Sequence, residues 1–186
     1  MESCHGKESH SNAVWIDTHP CAKSIFFFEP HGSDFSEAEH GSLQLYYDSA
    51  AYFTILKAAI QKIDSYRGYR VFTPDGYLPN VFGQSWTQDK WCLSWSFWFL
   101  LFSTLENPKN PTEVLELKDT GPFKFKHLIT QLYSDNQLVD AVKVFTVCLY
   151  DLMHSKSSSF VSNFNTFNER FRKILQECRS GTKADT

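Results

Sequence analysis

The chain has 186 residues, 42% of them apolar and 21% charged, which is the make-up of one ordinary globular domain and argues against disorder. A formal charge of −3 excludes a generally basic nucleic-acid binder. Seventeen Phe, eight Tyr and five Trp need a packed interior or a lined groove to hold them.

Residues 1–11 are polar, so no secretory leader opens the chain. Asn12–Asp17 predicts a strand, Thr18–Ala22 with Pro20 a turn, and Lys23–Glu29 a second strand. The second run is too apolar for a strand wetted on one side, so both its faces should be covered. The hairpin should stop at Pro30-His31-Gly32. Residues 33–48 hold Asp34, Glu37, Glu39 and Asp48 with no Lys or Arg, a solvated stretch or a patch for a basic substrate.

Ser49–Tyr66 repeats apolar residues at helical spacing. Tyr69–Thr73 predicts a third strand, and Pro74–Gln88, with two Pro and two Gly, a loop. Cys92–Leu105 predicts a core helix, apolar on nearly every face and ended by Asn107-Pro108. It lacks the ~20 apolar residues that span a bilayer. Phe123–Tyr133, Leu138–Met153 and Val161–Cys178 predict three more helices. The last carries Phe164, Phe167, Phe171, Ile174, Leu175 and Cys178 on one face, and residues 179–186 should fray.

The five cysteines, at 4, 21, 92, 148 and 178, form no CxxC and are odd in number, which predicts reduced thiols in a cytosol-like compartment. Cys92 is special by position. The start of a buried helix offers N–H groups and a partial positive charge, and both favour the nucleophilic thiolate. A thiolate needs an imidazole to move its proton. His10 stands before the first strand and Glu29 at the end of the second. Strands ~4.8 Å apart would bring that carboxylate to the ring, to orient it and support its cation. Gln84 and Gln88, eight and four residues before Cys92, are candidate side-chain donors to an oxyanion. Trp86 and Trp91 flank the thiol and could wall a narrow slot that admits small residues, Gly above all. Trp95 and Trp98 are expected in the core.

Three segments, HSNAVWID with FFFEPHG, then LPNVFGQ, then WCLSWSFWFLLFSTLENP, stand in an order that resembles the adenain/SUMO-protease group of papain-like cysteine peptidases, especially those of large DNA viruses. The resemblance covers residues 8–108. It implies His10 as general base, Glu29 as orienting acid, Gln84 as oxyanion donor and Cys92 as nucleophile. It further implies a protein substrate, either a viral precursor or a ubiquitin-like conjugate, and a setting in host cytoplasm or virion, with no cofactor. The chain departs from the group in having Ser11 where Trp often follows the His, Glu for the commoner Asp, and a longer Gln-to-Cys spacing. Only nine residues precede His10, so the expected organisation is an N-terminally shortened peptidase core, 1–110, with a helical extension, 111–180. The expected fold class is α+β: a small antiparallel-containing sheet packed on the Cys92 helix.

Two rival readings remain. Cys4, His5, His10, His19, Cys21 and His31 could form a zinc site, although their spacing lacks the tight pairs zinc favours. Alternatively, the chain is a non-catalytic interaction domain derived from a peptidase.

Overall fold

The computed structural model describes residues 11–20, 22–33, 49–87, 91–109 and 116–154, with 169, 172, 173 and 176. Its strands are β1 (Ala13–Asp17), β2 (Ser24–Phe28) and β3 (Arg70–Phe72). Its α-helices are α1 (Ser49–Ile60), α2 (Gln84–Thr87), α3 (Cys92–Glu106), α4 (Gly121–Ser134) and α5 (Leu138–His154). The class is α+β, as expected.

The sheet is mixed, in the order β1-β2-β3. β1 pairs antiparallel with β2, Ala13 facing Phe28 and Asp17 facing Ser24. β3 lies parallel to β2 on its other side, after a crossover that includes α1. All five residues of β2 are buried, as its unbroken apolar run requires. Ile25 and Phe27 turn to one face and meet Phe53, Leu56 and Ile60 of α1. Phe26 and Phe28 turn to the other and meet α3 and α4. By contrast β1 alternates, with Ala13, Trp15 and Asp17 buried and Val14 and Ile16 exposed.

Rings build the main core. Phe28 stacks on Phe99 of α3 at 4.3 Å between centroids and 5° between planes. Phe125 of α4 meets Phe28, Trp98 and Phe99 edge-on at 5.5–5.8 Å and leans on Phe102. Phe145 of α5 stacks on Trp98 at 5.4 Å. Trp95 and Trp98 are both buried, as expected of them. Residues from Ala13 to Leu149 thus share one apolar cluster.

Three side-chain ties set the direction of β1 against α3. Ser96 donates its hydroxyl to the Ser11 carbonyl (3.1 Å), Trp15 its indole N–H to Thr104 Oγ1 (3.3 Å), and Asn107 its amide to Asp17 Oδ2 (3.0 Å). Both partners advance in number together, so β1 runs alongside α3 in the same sense. The start of β1 therefore lies at the Cys92 end of the helix. Asn107 also accepts the Gly121 N–H through Oδ1 (3.2 Å), tying the start of α4 to the same corner.

Some expectations shift. The helical stripe over 49–66 stops at Ile60, where i to i−3 bonds from Lys62 and Ile63 tighten the chain into turns. The loop expected over 74–88 holds one 3₁₀ turn at Pro74–Gly76 and the single helical turn α2. Helix α3 is not covered all round: Leu93 and Phe97 are 49% and 44% exposed. Glu169, Arg172, Lys173 and Gln176 are helical and exposed, whereas the apolar stripe expected on that segment lies outside the described residues. No described helix is long and apolar enough to cross a membrane.

Two stability effects follow. Truncating Phe125 to Ala should cost about 3–5 kcal/mol, read from urea unfolding, because four rings lose their shared neighbour. Tyr77, buried and donating to the Phe27 carbonyl (2.9 Å), has its phenol held by burial well above the ordinary value of 10.0. The folded state thus keeps this proton more tightly than the unfolded chain does. Its contribution is complete below about pH 10 and drains away as pH rises beyond it. Tyr77→Phe should cost about 1 kcal/mol near neutrality and flatten the alkaline fall in urea midpoints.

Candidate active site

Cys92 opens α3 and is partly exposed. Trp91 precedes it in a non-helical conformation, makes no side-chain cap and is 37% exposed. An indole has no acceptor to offer backbone N–H groups. The thiol therefore shares the helix start with no capping oxygen from the N-cap side chain.

Glu29 follows β2 directly and its side chain is fully buried. Its Oε1 accepts the backbone N–H of His31 (3.2 Å), and its carbonyl accepts the Gly32 N–H (3.1 Å), so a tight turn holds the carboxylate. Continuing the hairpin register one step past Ala13 and Phe28 brings Asn12 opposite Glu29.

Gln84 is 3% exposed. Its backbone N–H donates to the Pro30 carbonyl (2.9 Å), and the Phe82 N–H donates to the His31 carbonyl (2.9 Å). Ser33 adds two bonds, from its N–H to the Pro79 carbonyl (3.1 Å) and from its hydroxyl to Asn80 Oδ1 (3.2 Å). The turn carrying Glu29 is thus laced to the segment carrying Gln84. Two glycines permit it. Gly32 sits at φ +110°, and a Cβ there would run into the Asn80 and Pro79 carbonyl oxygens. Gly83 sits at φ +40°, where a Cβ would lie 3.0 Å from the Pro30 oxygen and 3.2 Å from the ring of Trp95. Trp95 belongs to the first turn of α3, so this contact carries the Gln84 segment to the thiol's end of the helix.

Two segments reach the first two turns of α3: Ser11 is bonded to Ser96, and the Gln84 segment meets Trp95 at Gly83. The turn carrying Glu29 is bonded to the Gln84 segment through the Pro30 carbonyl. His10, covalently joined to Ser11, and Gln88 lie outside the described residues. Trp86 is half-buried, stacked on Tyr133 (4.4 Å, 20°) and packed on Phe82 (5.2 Å), so its ring is a fixed wall. Trp91, just before the thiol, and Leu93 and Phe97 on α3 are exposed apolar side chains.

Of the residues suggested for a zinc site, Cys4, His5, His10 and Cys21 lie outside the described residues. Among those described, no three His, Cys, Asp or Glu side chains are grouped to hold a metal. A cleft of about 470 Å³ lined by Phe102, Glu106, Lys118, Phe123, Lys124 and Lys126 lies at the opposite end of α3, about 20 Å along the axis from Cys92. Lys124 there caps the Glu106 carbonyl (2.9 Å) and Lys118 pairs with Glu116 (2.6 Å).

Sequence reasoning passed over Ser85, Asn12 and Ser96, and weighed His31 only within a strand stop and a zinc site. Ser96 carried a usable signal, a hydroxyl one helical turn beyond the thiol. No family model, curated protein or solved structure matches this chain.

Gly32→Ala should lower stability by about 2–4 kcal/mol, from backbone strain and from the clash with two carbonyls. A lower urea midpoint at unchanged slope would register it.

Proposed function

We propose that the chain is a cysteine peptidase that cleaves peptide or isopeptide bonds through a thioester on Cys92. The observation that carries this reading is that the segment following His10 and the segment carrying Gln84 both reach the start of the Cys92 helix, with the Glu29 turn hydrogen-bonded to the Gln84 segment. Cys92 Sγ attacks the scissile carbonyl carbon as the C–O π pair moves to oxygen. Gln84 donates an amide N–H to that oxyanion. His10 gives its proton to the leaving amine as the C–N bond breaks, then takes one from the water that cleaves the thioester. Glu29 orients His10 and supports its cation. Ser11, the residue after His10, is tied to the thiol's helix through Ser96. The buried carboxylate and the buried amide are rigidly joined, as preorganised electrostatics requires.

The substrate is a protein with small residues, Gly favoured, before the cut bond, approaching between Trp91 and the fixed ring of Trp86. A viral precursor or a ubiquitin-like conjugate fits this description, and so does a setting in a reducing host cytoplasm or virion. The exposed apolar side chains of Trp91, Leu93 and Phe97 favour a second reading, a peptidase-derived domain that only binds proteins. Reactivity of the thiol separates the two, since a vinyl sulfone should add selectively to Cys92 at neutral pH in an active enzyme.

Cys92→Ser should abolish cleavage of a peptide library, by at least about 10³-fold, with the fold retained. His10→Ala should approach that loss and Glu29→Gln should lose less. Gln84→Ala should lower kcat about 10²–10³-fold with little change in KM, because its bond forms in the transition state. A Cys92→Ser protein within tenfold of wild type would refute the assignment.

A further inference from the structure

The turn that carries Glu29 continues into His31, a half-buried histidine that the reaction above does not use. Its Nδ1 lies 2.9 Å from Ser85 Oγ. The same hydroxyl donates to the carbonyl of His31 at 3.1 Å. A serine hydroxyl has one proton. With that proton on the carbonyl, the short Nδ1 contact is a hydrogen bond only if Nδ1 carries a proton and Oγ accepts it. The neutral ring is then the Nδ1–H tautomer, with its lone pair on Nε2.

What the pair can do is hold a segment in place. Gln84 stands in α2, a single turn of four residues. One turn is below the length at which a helix sustains itself. Gly83, at φ +40°, offers the chain before it unusual conformational freedom in the absence of tertiary contacts. The position of Gln84 is therefore imposed from outside. Two backbone bonds, Phe82 to the His31 carbonyl and Gln84 to the Pro30 carbonyl, hold one side of it. The His31–Ser85 pair closes the other side, one residue beyond Gln84, by bonding both the ring and the carbonyl of the same histidine.

We infer that His31, acting through Ser85, is a positioning residue that sets the Gln84 segment where the Gln84 amide serves the oxyanion. The inference rests on the peptidase reading for its catalytic consequence, though not for the clamp itself. A misplacement of about 1 Å in such a site can cost on the order of 10²-fold in rate.

Four proteins test it: wild type, His31→Leu, His31→Asn and Ser85→Ala, with the Leu/Ala double variant closing the cycle. Asn sets an amide N–H at the place of Nδ1–H. Steady-state kinetics and backbone amide exchange at Phe82 and Gln84 are measured on each, against α3 amides as the internal reference. His31→Leu and Ser85→Ala should each lower kcat by about 10–100-fold with KM within about twofold. Each should also speed exchange at Gln84 by about tenfold or more. His31→Asn should restore both to within about threefold of wild type, and the double variant should be no worse than Ser85→Ala alone. His31→Asn as damaged as His31→Leu, or Gln84 exchange unchanged in Ser85→Ala, would overturn the clamp. If Cys92→Ser still hydrolyses substrate, or wild type does not, the peptidase reading falls. The exchange data then decide alone: protection lost in Ser85→Ala sustains the clamp, and protection unchanged removes it.

Discussion

The stacking of Phe28 on Phe99 seats the central strand on the central helix, and the rest of the molecule is arranged around that contact. Parallel rings 4.3 Å apart leave little latitude in the separation or tilt of β2 and α3. Phe125 then closes the third side with its edge, joining α4 to the same contact. Edge-to-face and offset rings draw on quadrupole attraction as well as burial, each such pair adding about 0.5–1.5 kcal/mol. Aromatic abundance is therefore the means by which a three-stranded sheet, small by the usual measure, acquires a core.

With α3 seated, polar ties decide what lies at each of its ends. The bonds that Ser96 and Asn107 donate and Thr104 accepts hold β1 along the helix and in the same sense. Were β1 reversed, Asp17 and not Ser11 would approach the thiol. The Asp17–Asn107–Gly121 chain closes the far corner, where β1 ends, α3 ends and α4 begins. The partly exposed Cys92 end is left to loops.

Those loops are held by backbone bonds more than by apolar burial. Residues 30–33 and 79–85 exchange hydrogen bonds through carbonyls that helices and strands have not used, at a spacing only two glycines allow. For the proposed peptidase, backbone groups fixed in advance need not reorganise as charge develops. The same lacing makes the segment sensitive to the loss of any one bond. Trp91, Leu93 and Phe97 nearby are exposed apolar side chains on which the proposed protein substrate would lie.

The class of the fold and most elements were legible in the sequence alone, because burial imposes periods that composition records. The run SIFFF could only be a strand covered on both faces, and CLSWSFWFLLFSTLE could only be a helix in the core. The placement of Cys92 at that helix start was equally plain, since a polar loop gives way abruptly to apolar residues there. Local pattern does not encode what approaches a surface from far along the chain. The parallel seating of β3, the exposed side of α3 and the single turn of α2 each depend on neighbours dozens of residues away. His31 and Ser85 show the limit most clearly. Fifty-four positions apart, each by itself is an ordinary loop residue. They meet because Gly32 and Gly83 let two loops close to backbone contact, and only the folded chain decides that.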